Sequence, residues 1–218
     1  MLVQDIMTRK VVAIAPVMPI ADVHTLMEQR NIRHFPIMDS VAGDSGNVGE
    51  GERLVGIVSD RDIRIVGSSH PAAPPAVTLN SAVGDIMIRD VLTAHPLDPI
   101  EESARVLREH KIGAMPVLEG DELVGIVTAI DFLDALVAMT GVNRSSARLE
   151  IEVPNRPGAL AQLLERIAGR GYNVSSVFTS ERHEDSLSFV LRVETISGHQ
   201  LAGELREQGY HVAWPAGA

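Results

Sequence analysis

Apolar and polar positions change period several times along the chain, and each change marks an element. Ile20, Val23, Leu26 and Met27 recur at spacings of three and four, which puts one apolar stripe on a helix. Ile100, Ala104 and Leu107 give a second helix of the same kind. Each helix follows a proline, Pro19 or Pro99, and each is succeeded by two short apolar runs. These runs, Phe35–Met38 with Leu54–Val58 and Met115–Leu118 with Leu123–Val127, are rich in branched residues and read as strands. A further helix begins near Ser59 and again near Thr128, the latter ended by Gly141. Short extended pieces, Val11–Ala13 and Val91–Thr93, stand ahead of the first helices. The last third follows another plan. RLEIEV alternates as a strand, and ALAQLLERIAGRG is a helix with Leu160, Leu163, Leu164 and Ile167 on one face. YNVSSVFTSE and SLSFVLRV are strands joined by polar RHED, GHQLAGELREQG is a helix, and YHVAW is the last strand. That order is βαββαβ, a ferredoxin-like plan.

The first part of the chain is written twice. Asp5-Ile6-Met7 returns as Asp85-Ile86-Met87, and the same offset of 80 maps Pro16, Pro19, Ile32 and Pro36 onto Pro96, Pro99, Ile112 and Pro116. From Gly56 and Asp62, which map onto Gly125 and Asp131, the offset is 69. The 11 extra residues of the first copy fall in DSVAGDSGNVGEGER, residues 39–53, a polar, glycine-rich stretch expected to be a long surface hairpin loop. GSSHPAAPPAVTLN, residues 67–80, holds three prolines and reads as the linker between copies.

Asp-Ile-Met, a proline ahead of the helix, I-R-H-F-P-I or I-G-A-M-P-V, and G-I-V-S/T-x-x-D together resemble a tandem CBS domain pair over roughly residues 1–141. V-P-N-R-P-G-A-L followed by G-Y-N-V resembles an ACT domain over about residues 147–218. The resemblance implies an α+β protein. Its CBS pair has two βαββα repeats related by pseudo-twofold symmetry, at 1–69 and 80–141 with 70–79 as linker, and a ferredoxin-like ACT domain follows at 147–218. CBS pairs commonly bind adenosine-containing ligands between their repeats, so AMP, ADP, ATP or S-adenosylmethionine is the implied regulatory ligand. ACT domains often bind an amino acid or other small metabolite. Both families commonly associate, which implies a homodimer and leaves room for a partner enzyme.

The motif Ser59-x-x-Asp62 has two readings. Locally it resembles a capping box, with Asp in the place of Glu or Gln. Functionally, a strand-to-helix junction offers backbone N–H groups to a phosphate. The hydroxyl can donate to a phosphate oxygen, and the carboxylate can accept from both ribose hydroxyls. The resemblance places ligand contacts in the first copy at Thr8, Lys10, Val12, Arg33, His34, Phe35, Pro36, Val58, Ser59, Arg61 and Asp62. In the second copy it places them at Val91, Ala114, Met115, Pro116, Val127, Thr128 and Asp131. The copies differ in charge. Arg61 and Arg64 flank Asp62, and Arg9, Lys10, Arg33 and His34 lie upstream. The second copy has Arg89, but Ala129-Ile130 and Gly113-Ala114 replace the other cations. Arginine's planar fork suits phosphate. The Asp62 site is therefore expected to take a phosphorylated nucleotide, and the Asp131 site to be weaker, phosphate-free or empty. In the ACT part the implied effector loop is Asn155, Arg156, Pro157, Gly158, Ala159 and Leu160, with Asn155 standing where family members often have Asp.

Composition narrows the function. The net charge is −10 and aromatics are 3% of the 218 residues, so neither the basic footprint nor the stacking platforms of a nucleic-acid binder are expected. There is no cysteine, hence no disulfide and no thiolate site. MLVQDIMTRK lacks the apolar segment of a signal peptide, and no apolar run approaches a membrane span, so a cytoplasmic location is expected. No two of the eight histidines stand at helical ligand spacing, and His183-Glu184-Asp185 reads as a solvated hairpin tip. No nucleophile elbow, P-loop or dinucleotide fingerprint is present. The expectation is a non-catalytic protein without a required cofactor or metal.

Overall fold

The computed structural model describes residues 1–40, 52–66, 68, 70–71 and 74–217. Most of the glycine-rich insertion and part of the proline-rich linker therefore lie outside the described residues. The chain divides into two compact units, Met1–Phe132 and Leu133–Ala218.

The first unit is built from two equivalent halves. After the short helix α1 (Val3–Ile6), helix α2 (Ile20–Arg30) starts on Pro19, whose carbonyl accepts the Val23 N–H at 3.1 Å. It buries Ile20, Val23 and Met27 and ends on left-handed Asn31. Strands β1 (His34–Ser40) and β2 (Glu52–Ser59) form an antiparallel pair, and α3 (Asp60–Ile65) follows. The second half repeats this with a 3₁₀ turn at Val83–Asp85, α4 (Ile100–His110), the pair β3 (Ala114–Glu119) and β4 (Glu122–Thr128), and the first turn of α5 (Ala129–Met139), where the unit ends at Phe132. Val11–Ala13 and Val91–Thr93 are not strands. Each segment makes one parallel bridge instead, Ile14 to Ile37 and Ala94 to Val117, because Pro16 and Pro96 follow and have no N–H to extend a ladder.

The halves exchange their leading segments. Val3 and Gln4 donate to the Asp98 and Pro96 carbonyls, and Val83 and Gly84 donate to Met18 and Pro16, the same bonds displaced by 80 residues. Thr8 then pairs with Ile126 on β4, and Ile88 pairs with Ile57 on β2. This exchange explains why both copies of the repeated phrase begin with glycine. A Cβ on Gly125 would stand 2.5 Å from the Met7 Sδ, and one on Gly56 would stand 2.5 Å from the Met87 Sδ. The first half's core, Ile14, Ile20, Val23, Phe35, Ile37, Val58 and Ile63, accordingly includes Val83 from the other half.

The second unit holds one sheet of order β6-β7-β5-β8, from β5 (Ala147–Pro154), β6 (Val174–Arg182), β7 (Ser186–Val193) and β8 (His211–Trp214). Helices α6 (Ala159–Ala168) and α7 (Gly198–Glu207) complete the βαββαβ order. Alternate residues of β5, Leu149, Ile151 and Val153, are buried with Leu163 and Ile167 of α6 and Leu201 and Leu205 of α7. Gly158 opens α6 at φ +83°, a conformation that favours glycine.

Candidate functional site

Ser59 and Asp62 form a complete capping box. The Ser59 N–H donates to Asp62 Oδ2 at 2.8 Å, the Ser59 hydroxyl donates to the same oxygen at 2.6 Å, and the Asp62 N–H reaches Ser59 Oγ at 3.4 Å. Thr128 and Asp131 repeat the arrangement at 2.7, 2.7 and 3.4 Å. The structural role of the motif is thus filled in both copies. It leaves chemistry to spare, because both bonds fall on Oδ2 and the Oδ1 of Asp62 has no partner among the described residues. That oxygen can accept hydroxyl protons.

Asp62 borders a cavity of about 790 Å³. Arg33, His34, Ile57, Val58, Ser59, Asp60, Arg61 and Arg64 line it from the first half. Ile88, Asp90, Val91 and Leu92, with His110 to Ala114, line it from the second. The exchange that pairs Ile88 with Ile57 is what carries residues 88–92 alongside β2. The volume lies within the range of small-molecule sites.

The cavity therefore unites part of both sets of sequence-expected contacts: Arg33, His34, Val58, Ser59, Arg61 and Asp62 with Val91 and Ala114. The rest are elsewhere. Thr8 is bonded to Ile126, and Lys10 and Val12 follow it on that leading segment. Phe35 and Pro36 are buried, the latter with its carbonyl bonded to the Ile14 N–H, and Met115, Pro116 and Val127 are their buried counterparts. Arg9 and Arg89 turn back on their own chain, donating to the Gln4 and Gly84 carbonyls at 3.0 and 2.9 Å. Helix α3 spans only six residues, so the positive potential at the cavity comes from its side-chain cations and not from a long helix dipole. Sequence reasoning missed Ile57, Asp60, Ile88, Asp90, Leu92, His110, Lys111 and Ile112 as members of this site, because it assigned each copy's contacts to that copy's own cleft. The repeat itself held the signal, since a pseudo-twofold pair builds its clefts from both members.

Within the cavity Arg64 is paired with Asp60 at 2.7 Å. Burial pushes the His34 imidazole below the ordinary histidine pKa; Asp60 and Asp62 oppose that shift, and Arg33 adds to it. The ring is therefore neutral at neutral pH.

In the second unit, the Asn155 side chain donates to the His183 and Glu184 carbonyls at 3.3 and 3.1 Å, tying the loop before α6 to the β6–β7 hairpin tip. Arg156 bonds the Gln162 side chain at 2.8 Å. Arg156 and Ala159 line a cavity of about 220 Å³ with Glu152, Val153, Pro154, Gln162, Gln208, Gly209 and Tyr210; Asn155, Pro157, Gly158 and Leu160 are outside that lining. Hydrogen bonds from Ser186 and His211 hold the Glu152 carboxyl below the usual range. No group of three or more histidines and carboxylates fit for a metal ion occurs among the described residues. Among them, no helix is long and apolar enough to cross a membrane.

Two interlocked halves, each closing a strand pair with a hydroxyl–carboxylate cap and sharing a cleft, define a CBS-type pair, here followed by a ferredoxin-like domain. The chain belongs to the CBS domain family, whose model matches residues 3–68 and 83–138, and residues 147–209 match the ACT domain. Among solved structures, one assigned as an acetoin utilization protein (AcuB) of Vibrio cholerae is 31% identical, with a TM-score of 0.53 over 67% of this chain and 98% of that one. CBSX2 in complex with AMP is 25% identical, with a TM-score of 0.52 over 63% of this chain and 97% of that one. The CBS domain pair of protein MJ0100, in complex with 5′-methylthioadenosine and S-adenosyl-L-methionine, is 26% identical, with a TM-score of 0.51 over 63% and 97%. The chain spans about a fifth of the first curated relatives it matches. One of these is an inosine-5′-monophosphate dehydrogenase of Thermoplasma acidophilum, 32% identical over 131 residues, 60% of this chain and 22% of that protein.

Proposed function

We propose that this chain is a non-catalytic regulatory sensor of the cytoplasm whose CBS pair binds an adenosine-containing ligand in the cavity beside Asp62. The observation that carries this reading is the cavity itself. It has nucleotide-sized volume, a carboxylate oxygen free for ribose, a hydroxyl beside it, and walls from both halves. AMP, ADP and ATP are the first candidates and S-adenosylmethionine a further one, since the ligands of the two similar complexes share adenosine. The ligand acts by linkage: it favours the arrangement of the halves that grips it best, by its differential affinity. The ACT domain takes an amino acid or similar small metabolite, or dimerises. The exposed apolar residues Ile130, Leu133 and Leu136 of α5, 62%, 54% and 45% accessible, support a homodimer. Likeness to the Vibrio cholerae structure supports a role in acetoin or related carbon metabolism, through a partner enzyme.

A second reading, a ligand-free dimerising adaptor, draws on one observation: in both copies the hydroxyl–carboxylate pair already serves as a helix cap, which gives each motif a structural role without any ligand. Thermal unfolding with AMP, ADP, ATP and S-adenosylmethionine separates the two. A ligand at about 100 times its dissociation constant stabilises by roughly 2.7 kcal/mol, several degrees for a domain of this size. Asp62→Ala and Asp131→Ala each lose a cap worth about 1 kcal/mol. Only Asp62→Ala should also lose the ligand shift. No shift with any ligand favours the adaptor.

A further inference from the structure

Lys111 occupies a backbone position that does not suit it. It ends α4 in the left-handed region at φ 55°, where asparagine is much better tolerated. Its equivalent in the first half, 80 residues earlier, is Asn31 at φ 52°. The second half thus accepts backbone strain to put an ammonium group where the first half has a neutral amide. Strain held at one member of a repeated pair points to a role for that side chain.

Lys111 lines the Asp62 cavity, so the second half contributes a cationic residue to the cavity that holds the first half's motif. Of the cavity's cations, Arg64 is committed to Asp60. Arg33, Arg61 and Lys111 make no ion pair among the described residues. Asp90 and an Asp62 already engaged in its cap share the lining with them. In a chain of net charge −10 this is a local excess of positive charge. The pseudo-symmetric positions around Asp131 are Gly113, Ile130 and Asn31, all uncharged.

We propose that Lys111 is the phosphate-reading residue of the Asp62 cavity, and that the ligand there is an adenosine phosphate, in preference to an uncharged nucleoside or a sulfonium compound. The proposal rests on the adenosine reading above and narrows it. An anion held between Arg33 and Arg61 on one side and Lys111 on the other ties the two halves together, whereas the sulfonium of S-adenosylmethionine would meet like charge.

Calorimetric titration of the full chain with adenosine, AMP and ATP tests this in wild type, Lys111→Asn and Lys111→Ala. Lys111→Asn installs the residue of the first half and relieves the strain, so its fold is secure. The expected result is a gain of AMP over adenosine in wild type that falls by roughly tenfold in both variants, with adenosine affinity unchanged. The dependence of AMP affinity on salt should weaken in parallel. An undiminished AMP gain in Lys111→Asn overturns the proposal, as does an equal loss for adenosine and AMP. Equal binding of adenosine and AMP by wild type overturns it while leaving the adenosine reading intact. Wild type that binds none of the three overturns both.

Discussion

The His34 ring lies in the space that a side chain on Gly113 would fill, with its Nε2 2.6 Å from where a Cβ would stand. The two residues come from different halves, and both line the Asp62 cavity. The contact is with the tip of a movable ring, so Gly113→Ala should displace His34 before it disturbs the backbone. The expected cost is about 1 kcal/mol, near the low end for overpacking. The double variant Gly113→Ala/His34→Ala should recover that cost, giving a coupling energy well away from zero in urea unfolding. Additive effects would mean the ring is not held by this contact.

His34 also sets a pH dependence. Its folded pKa lies below the ordinary value because burial disfavours the charged ring. Well above about pH 6.5 the ring is neutral in both states and adds no pH dependence. As the pH falls through that value, the unfolded chain takes up a proton that the folded chain resists, so stability decreases. The loss levels off once the pH is below the folded pKa. His34→Gln should flatten this part of the profile between pH 7.5 and 5.5. Unfolding midpoints of the two proteins that run parallel across that range would remove burial of His34 as the cause.

The repeat, the element order and both caps were legible in the sequence for physical reasons. Apolar periodicity reports which face is buried, and Ser-x-x-Asp is a local geometry. The composite cavity was harder to read, because its walls are set by the exchange of leading segments. Val11 and Val91 look like strand residues by composition, yet Pro16 and Pro96 stop any ladder there. Phe35 precedes Pro36 as a family ligand contact would, but packing draws its ring to 0% exposure. Arg9 resembles a phosphate ligand until its guanidinium is seen bonded to Gln4. Tertiary packing decides the Phe35 case, whereas the prolines and the Arg9–Gln4 bond act within five residues and override the propensity of the single positions.

Asn155 shows the same lesson in the ACT domain. An aspartate there cannot make the donor contacts of the Asn155 amide, and its carboxylate would face the His183 and Glu184 carbonyls. Asn155→Asp should cost about 1 kcal/mol, the net worth of hydrogen bonds at an exposed site where water can take over the freed carbonyls. Faster amide exchange should be confined to the hairpin tip, residues 183–186. Exchange unchanged there, measured by mass spectrometry, would show that the amide does not hold the tip.

Gly56 and Gly125 hold the exchanged segments, and their neighbours distinguish them from Gly113. A Cβ on Gly56 would meet the Met87 Sδ at 2.5 Å and also the Ile88 backbone oxygen at 3.1 Å, whereas on Gly125 the three nearest atoms all belong to the Met7 side chain. Methionine re-packs readily, and a backbone oxygen held by the Ile57–Ile88 bridge does not. Gly56→Ala should therefore destabilise more than Gly125→Ala, the first by about 1–3 kcal/mol and the second by less. Gly56→Ala should also reduce ligand affinity, because Ile88 is the residue that leads Val91 and Leu92 into the Asp62 cavity. Gly125→Ala sits on the opposite exchange and should leave that affinity close to wild type. Urea unfolding and calorimetric titration of the two variants read both effects. A reversed order in either measurement would mean that the exchanged segments are not what shapes the cavity.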